Sequence, residues 1–420
     1  MRITFLGYGS RGDVEPLLSI ALEAKRRGHL PIFAAPSDFQ EMIKLVELPF
    51  VKLEGNIQSI LTSKEGLDLL AKGDSHRFLE SISAVLQRYY KKIEEASLEA
   101  CRGADLIVVG NLGLKEALCI SAKFSIPAFV MSTFPAFPYT EEFPNFFITN
   151  KNLRLKWFNR WTYSLFDRVY WRNNKKYVDE FCEQLELQRF RGPMVKELME
   201  RKIRFLNMFS PLLVPTPKDW LETSVSCGRA YQDTKIKAAE KASPELVSWL
   251  QQGAKPVFFG FGSMPLLSSK EMFQTILNVL AETGQRGIIS TGWSSAPLGK
   301  YPRDVFVVKS ADYDWLFPQC IAAVHHGGCG TVHDSLRAGL PTVICAVISD
   351  QFYWGERVKS LGVGTWLNLK HFSHQRLLNG LKFCLEPSTL IRAQELSKKM
   401  RLEVNGAIKV VDFFEKVDFK

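Results

Sequence analysis

The sequence contains no CxxC pair and no HxxxH. Its eight cysteines (Cys101, Cys119, Cys182, Cys227, Cys320, Cys329, Cys345 and Cys384) stand singly. Several lie in apolar stretches such as "EALCIS" and "TVICAVI". Disulfide scaffolds and thiolate zinc sites are therefore not expected, and free buried thiols in a reducing cytoplasm are. No apolar run approaches the ~18 residues a membrane-spanning helix needs. The opening "MRITFLGYGS" reads as a strand and a glycine turn, without the cleavage site of a signal peptide.

What is present suits a globular chain. Of 420 residues, 46% are hydrophobic and 23% charged, so one core is too small and two domains are expected. The formal net charge is +10, and its distribution is uneven. From Lys151 to Lys176, eight basic residues (Lys151, Arg154, Lys156, Arg160, Arg168, Arg172, Lys175, Lys176) face the single acid Asp167. Trp157, Phe158, Trp161, Tyr163, Phe166, Tyr170 and Trp171 are interleaved with them. An amphipathic basic helix of this kind can lie on an anionic membrane surface, and nucleic acid is another partner for it. An ordinary helical wall, with long basic stems covering core aromatics, accounts for the same pattern.

Apolar strand-like runs alternate with helical patterns, as in "RITFLGY", "EPLLSIALEAKRRG" and "HLPIFAAP", and again from "PVFFGFGS" to "PTVICAVI". Such alternation implies βαβ units and parallel sheets. Both halves open with a strand running into a glycine turn, at Phe5–Ser10 and Phe258–Ser263. The reading is an N-terminal domain over 1–222, a polar, lysine-rich linker over 223–255 and a C-terminal domain over 256–400. A last helix within 401–420 is expected to pack back on the first domain. The fold class is α/β, with two doubly wound Rossmann-like domains expected to face one another across a ligand-binding cleft.

The stretch "VHHGGCGT", Val324–Thr331, places two histidines before a glycine run. Adjacent side chains on a strand diverge, so His325 and His326 do not form a metal pair. A phosphate cradle fits better. Gly327, Gly328 and Gly330 let backbone approach an anion, the helix N-terminus in "TVHDSLRAG" favours one, and one histidine can donate to it while the other faces the core. Glycines that merely make a tight turn remain the alternative. "GYGSRGD" holds a GxGxxG at Gly7, Gly9 and Gly12, but the second strand ends in Ala34 and Ala35, without the acid that would hold a nicotinamide dinucleotide's ribose. In the same turn, Asp13 suits either an N-cap or a catalytic carboxylate.

Beyond His326 the chain reads Gly328, Thr331, Asp334, "AGLP" at Ala338–Pro341, and Asp350-Gln351. Together with "GYGSRGDVEPLL" and "DQFYWGERVKSLGVG", these residues resemble glycosyltransferase family 1, the two-domain GT-B enzymes. Within it they look most like sterol 3β-glucosyltransferases and glycopeptide-antibiotic glucosyltransferases. The resemblance implies an inverting, metal-independent transfer of a hexose, glucose first, from a UDP-sugar to a hydroxyl of a hydrophobic acceptor. A sterol or triterpenoid is the first candidate; a polyketide, glycopeptide or glycolipid acceptor with another nucleotide sugar, or an inactive nucleotide- or lipid-binding homologue, is the alternative.

The same resemblance implies roles for individual residues. Asp13 would be the base, with Ser10 the next candidate in the turn. His326, Gly328, Gly330, Thr331 and Ser263 would hold the diphosphate, Asp334 the ribose, and Asp350 and Gln351 the sugar hydroxyls. Plant members stack a tryptophan on uracil near Val308; this chain has none there, and Trp293 is the substitute. Phe134, Phe137, Tyr139, Phe143 and Phe146, in a proline-broken loop, would line the acceptor pocket. No metal or other cofactor and no nucleic acid are expected. The expected location is cytoplasmic, with an anionic membrane surface as a transient partner.

Overall fold

The computed structural model describes residues 1–55, 59, 63, 88–220, 223–231, 243–262, 270–292 and 300–416. The chain divides into two compact units. One comprises Met1–Ile57, Leu86–Ile236 and Val404–Lys420; the other is built around Lys237–Glu403.

The first unit holds a seven-stranded sheet made of β1 (Arg2–Leu6), β2 (Leu30–Pro36), β3 (Phe50–Leu53), β4 (Leu106–Val109), β5 (Ala128–Ser132), β6 (Arg204–Asn207) and β7 (Ser224–Ser226). The strand order is β3-β2-β1-β4-β5-β6-β7, and every pair is parallel. Its helices are α1 (Arg11–Arg26), α2 (Gln40–Leu45), α3 (Tyr90–Cys101), α4 (Leu114–Phe124), α5 (Lys156–Gln184) and α6 (Met194–Glu200). All four residues of β4 and all five of β5 are buried. Continuous apolar strands of this kind are what a parallel sheet covered on both faces requires.

The second unit opens with α7 (Pro244–Gln251). It continues through β8 (Val257–Gly260), α8 (Lys270–Thr283), β9 (Gly287–Ser290), β10 (Val305–Val308), α9 (Tyr313–Leu316) and β11 (Ala322–His325). It closes with α10 (Cys329–Arg337), β12 (Thr342–Ala346), α11 (Gln351–Ser360), β13 (Gly364–Asn368), α12 (His374–Leu385) and α13 (Pro387–Met400). Its six strands run β10-β9-β8-β11-β12-β13, again all parallel. The chain then returns to the first unit as α14 (Gly406–Lys416), whose Ala407, Val410, Val411 and Phe414 join the core beneath β1 and α1. Arg27 at the end of α1 reaches Asp412 at 2.6 Å and Glu415 at 2.9 Å.

The segment 223–255 is less of a linker than its composition suggests. Ser224–Ser226 completes the first sheet, and Pro244–Gln251 forms a helix capped by Ser243 that buries Leu246 in the second core. A three-residue edge strand and a two-turn helix carry too little apolar pattern to stand out from the polar residues around them. The lysine-rich middle of that segment lies outside the described residues.

Candidate active site

In a doubly wound sheet the strand order reverses between two neighbouring parallel strands, and the loops leaving their carboxyl ends diverge to leave a crevice. In the first unit that point falls between β1 and β4, and in the second between β8 and β11. The two turns singled out by sequence are the loops leaving β1 and β11.

After β1 the N-cap of α1 is Ser10, and Asp13 stands at the third helical position. The sequence reading of Asp13 as a possible N-cap is corrected, because the helix starts three residues earlier than that reading requires, at Arg11 and not Val14. The Asp13 carboxylate folds back on the turn. Its Oδ2 accepts from the Ser10 backbone N–H at 2.9 Å and from the Ser10 hydroxyl at 3.0 Å. Gly9 makes this possible: its φ is +106°, and a Cβ there would stand 2.5 Å from Asp13 Oδ2. Burial raises the Asp13 pKa above the usual carboxylate value, and the hydrogen bonds from Ser10 and Asn111 draw it part of the way back. Asn111, just beyond β4, is buried and donates through Nδ2 to Thr133 Oγ1 at 2.9 Å. Asn111 and Thr133 went unnoticed in the sequence, yet both follow the carboxyl ends of central strands, a position that marks them as site residues.

After β11 the two histidines part. His325 is wholly buried; its Nδ1 accepts from the Gly327 N–H at 3.1 Å and its Nε2 faces Ser335 Oγ at 3.4 Å. Burial holds it well below its ordinary pKa, so it is a neutral core residue. His326 turns the other way, its ring lying against Gly262 after β8 and Gly328 at the cap of α10. A Cβ at Gly328 would stand 2.6 Å from His326 Nε2, and one at Gly262 3.1 Å from Cε1. The His326 Nδ1 is buried and has no hydrogen-bond partner among the described residues. Burial lowers its pKa to about 4, leaving a neutral ring at pH 7. Gly327 adopts φ +92°, where a Cβ would meet Ile344 Cγ2 at 2.5 Å, so the turn admits only glycine there.

α10 begins at Cys329, earlier than the sequence suggested, so Gly330 and Thr331 lie in its first turn and Asp334 half-buried in its second. The first-turn N–H groups of a helix have no intrahelical acceptor and favour an anion. Among the described residues no group of three histidine, cysteine or acidic side chains is placed to hold a metal ion.

The remaining candidates separate. Asp350 caps α11, and its Oδ2 accepts from Trp354 Nε1 at 3.0 Å. The Gln351 side-chain oxygen accepts from the N–H groups of Val347 and Ile348 at 2.7 and 3.1 Å, so it shapes the loop after β12. Val308 ends the edge strand β10, where its carbonyl accepts from Thr291 N–H at 2.9 Å. Ser263 and Trp293 lie outside the described residues. In the aromatic loop, Phe137 is core, stacked on Phe205 at 5.7 Å, and the Tyr139 hydroxyl donates to Asp167 at 2.8 Å. Phe137 is covered by this packing, and Tyr139 is half-buried. Phe134 and Phe143 are half-buried, and Phe146 is buried against Phe134 at 5.8 Å.

Two parallel-sheet α/β units, each with a polar turn at its switch point, are two Rossmann-like domains. Residues 275–408 match the family model "Erythromycin biosynthesis protein CIII-like, C-terminal domain". Over 97–99% of its length the chain is 29% identical to the sterol 3-beta-glucosyltransferase UGT80B1 of Arabidopsis thaliana and 31% identical to UGT80A2 of the same plant. It spans 68% and 65% of those two proteins, and 27% of a sterol 3-beta-glucosyltransferase from Cryptococcus neoformans. Among solved structures, the calicheamicin glycosyltransferase CalG4 superposes with a TM-score of 0.69 at 17% identity, covering 99% of this chain and 97% of that one. The glycosyltransferase SsfS6 of Streptomyces sp. SF2575, complexed with thymidine diphosphate, gives 0.64 at 18%, covering 99% and 100%. Along nearly its whole length the chain is thus similar to sterol 3-beta-glucosyltransferases, and its fold is that of solved glycosyltransferases.

Proposed function

We propose that this protein transfers a hexose, glucose in the first instance, from a UDP-sugar to a hydroxyl of a sterol-like acceptor, with inversion and without a metal ion. The observation that carries the reading is the neutral His326, with its unpartnered buried nitrogen, beside the first turn of α10 at the switch point of the second sheet. A diphosphate placed there meets a helix N-terminus, the Thr331 side chain and the imidazole. Asp334 is assigned to the ribose, and Asp350 with Gln351 to the sugar, each needing to exchange part of its present bonding to reach the ligand.

The chemistry is one displacement. The acceptor oxygen attacks the anomeric carbon, the bond from that carbon to the diphosphate oxygen breaks, and UDP departs with its electron pair. Asp13 takes the hydroxyl proton as the new bond forms. Its raised pKa makes it a better base than an ordinary aspartate, and Ser10 and Asn111 hold the carboxylate in place. An α-linked donor gives a β-glycoside. Phe134, Phe143 and Phe146 are assigned to the acceptor, which the sterol-acting relatives suggest is flat and apolar. A cytoplasmic location and transient contact with an anionic membrane complete the proposal.

Thymidine diphosphate in the SsfS6 structure favours a second reading, a thymidine-diphosphate-sugar donor with a polyketide-like acceptor. Calorimetry decides between the donors: UDP should bind more tightly than TDP, and equally well with a chelator present. Tighter TDP binding would favour the second reading, and loss of UDP binding on chelation would overturn the metal-free one. A donor–acceptor matrix read by mass spectrometry should give a hexosylated sterol as its strongest product.

A further inference from the structure

The basic, aromatic segment divides between two of the readings its sequence allows, a helical wall over core aromatics and an exposed amphipathic face. Along α5 the rings sort by position: Tyr163 and Trp171 are buried, and Phe166 and Tyr170 pack half-buried against the core. At its N-terminal end the pattern inverts. Trp157 is 67% exposed and Trp161 47%, and the preceding Leu153 and Leu155 are exposed as well. Phe158 bridges the two indoles, 6.0 Å from Trp157 and stacked at 5.7 Å on Trp161. A patch of this kind, rimmed by charge, marks an interaction surface.

The charge around it is mainly basic, with Glu141 paired to Lys156 at 3.8 Å at the start of the helix. Trp157, Arg160, Trp161, Arg168 and Arg172 recur at three-, four- and seven-residue spacings along one exposed stripe of the helix. None of the three arginines has an ion-pair partner among the described residues. The single acid of the segment, Asp167, faces inward, accepting from the N–H groups of Val195 and Lys196 at 2.9 and 3.0 Å. Its carboxylate is spent on capping α6 and does not offset the arginines.

We propose that this end of unit 1 is a membrane-docking tip. The leucines and indoles enter the interfacial region of a bilayer, and the arginine stripe lies on anionic headgroups. Tryptophan belongs at that boundary because its ring is apolar and its N–H stays wet, while exposed aliphatic leucines fit acyl chains better than nucleic-acid bases. The tip is also fastened to the loop that carries Phe134 to Phe146. Asn159 Nδ2 donates to the Glu141 carbonyl at 2.9 Å, Asn145 N–H to Thr162 Oγ1 at 2.8 Å, and Phe147 stacks on Phe166 at 5.1 Å. Docking would thus bring the acceptor loop to the bilayer that holds the lipid, a consequence that rests on the acceptor reading above.

The test is cosedimentation of the full chain with phosphatidylcholine vesicles, with and without phosphatidylserine and with no acceptor present. The wild type is compared with the double variants Trp157→Ser/Trp161→Ser and Arg160→Gln/Arg168→Gln. Wild type should partition to the anionic vesicles and come off as salt rises. The tryptophan pair should lower partitioning about tenfold or more, and the arginine pair should remove the preference for anionic lipid. Far-UV circular dichroism and the unfolding midpoints of each variant should match wild type, showing that the first unit is intact. Failure of sterol transfer would leave these vesicle results unchanged, so the two proposals fail separately. Equal partitioning of wild type and the tryptophan pair, or equal binding to neutral and anionic vesicles, would overturn the proposal. So would binding of a single-stranded oligonucleotide that the substitutions abolish while vesicle binding persists.

Discussion

Asp13 and His326 each combine an observed structural position with a proposed chemical one, and substitutions can separate the two. Asp13 closes the turn by accepting two bonds from Ser10 at one oxygen, and an asparagine carbonyl can accept both. Asp13→Asn should therefore stay within ~0.5 kcal/mol of wild-type stability while losing ~100-fold or more in turnover, with UDP affinity unchanged. The pH–rate profile carries the same assignment. Transfer needs the carboxylate ionised, so activity should fall as pH drops through its pKa. Because burial raises that pKa, the acid limb should lie above the ordinary value of about 4. A variant that keeps its turnover per folded molecule would make Asp13 structural and leave Ser10 as the next residue to test.

The adjacent histidines provide an internal control. His326→Ala should weaken UDP binding about 10- to 100-fold, the worth of one hydrogen bond to a charged group, with little change in the unfolding midpoint. His325→Ala should do the reverse. It opens a cavity and strips the Gly327 N–H of its acceptor, at a cost of about 2–4 kcal/mol, while UDP still binds the folded fraction. Calorimetry and thermal unfolding on both variants would show the crossing, and equal effects on binding would break the assignment.

At the scale of elements, α14 is the least local piece of the fold. It follows the second unit in sequence and is built into the core of the first, where Phe414 packs on Phe129 with ring centres 5.3 Å apart. Phe414→Ala should lower the stability of the first unit by about 3–5 kcal/mol, leaving UDP binding by the second intact below that transition. A calorimetric scan in which both transitions move equally would show that α14 supports the whole chain. The strands and long helices of both units were legible in the sequence because their apolar residues repeat at the required period. The start of α1 was not: "GSRGD" offers two capping residues, Ser10 and Asp13, and only the backbone path through Gly9 selects Ser10. The strand Ser224–Ser226 was missed for a similar reason, since three residues hold no period and pairing with β6 alone makes them a strand.

For the whole molecule, the sequence by itself determined the fold class, the two sheets and the two turns to which the chemistry is assigned in the proposal. Those features are written in local pattern: apolar runs bounded by glycine, and an ordered series of motifs from His326 to Gln351. Tertiary structure decided which member of each local pair does what. It sent His325, the last residue of β11, into the core and left His326, in the turn just beyond the strand, with an unpartnered nitrogen. It set Asn111 beside Asp13 across the switch point between β1 and β4, with Thr133 bonded behind Asn111, residues far apart in the sequence. It also split one aromatic series, covering Phe137, Tyr163 and Trp171 while leaving Trp157 and Trp161 bare. Composition records that a ring is present; what covers it depends on contacts between segments far apart in the chain, and no local pattern contains them.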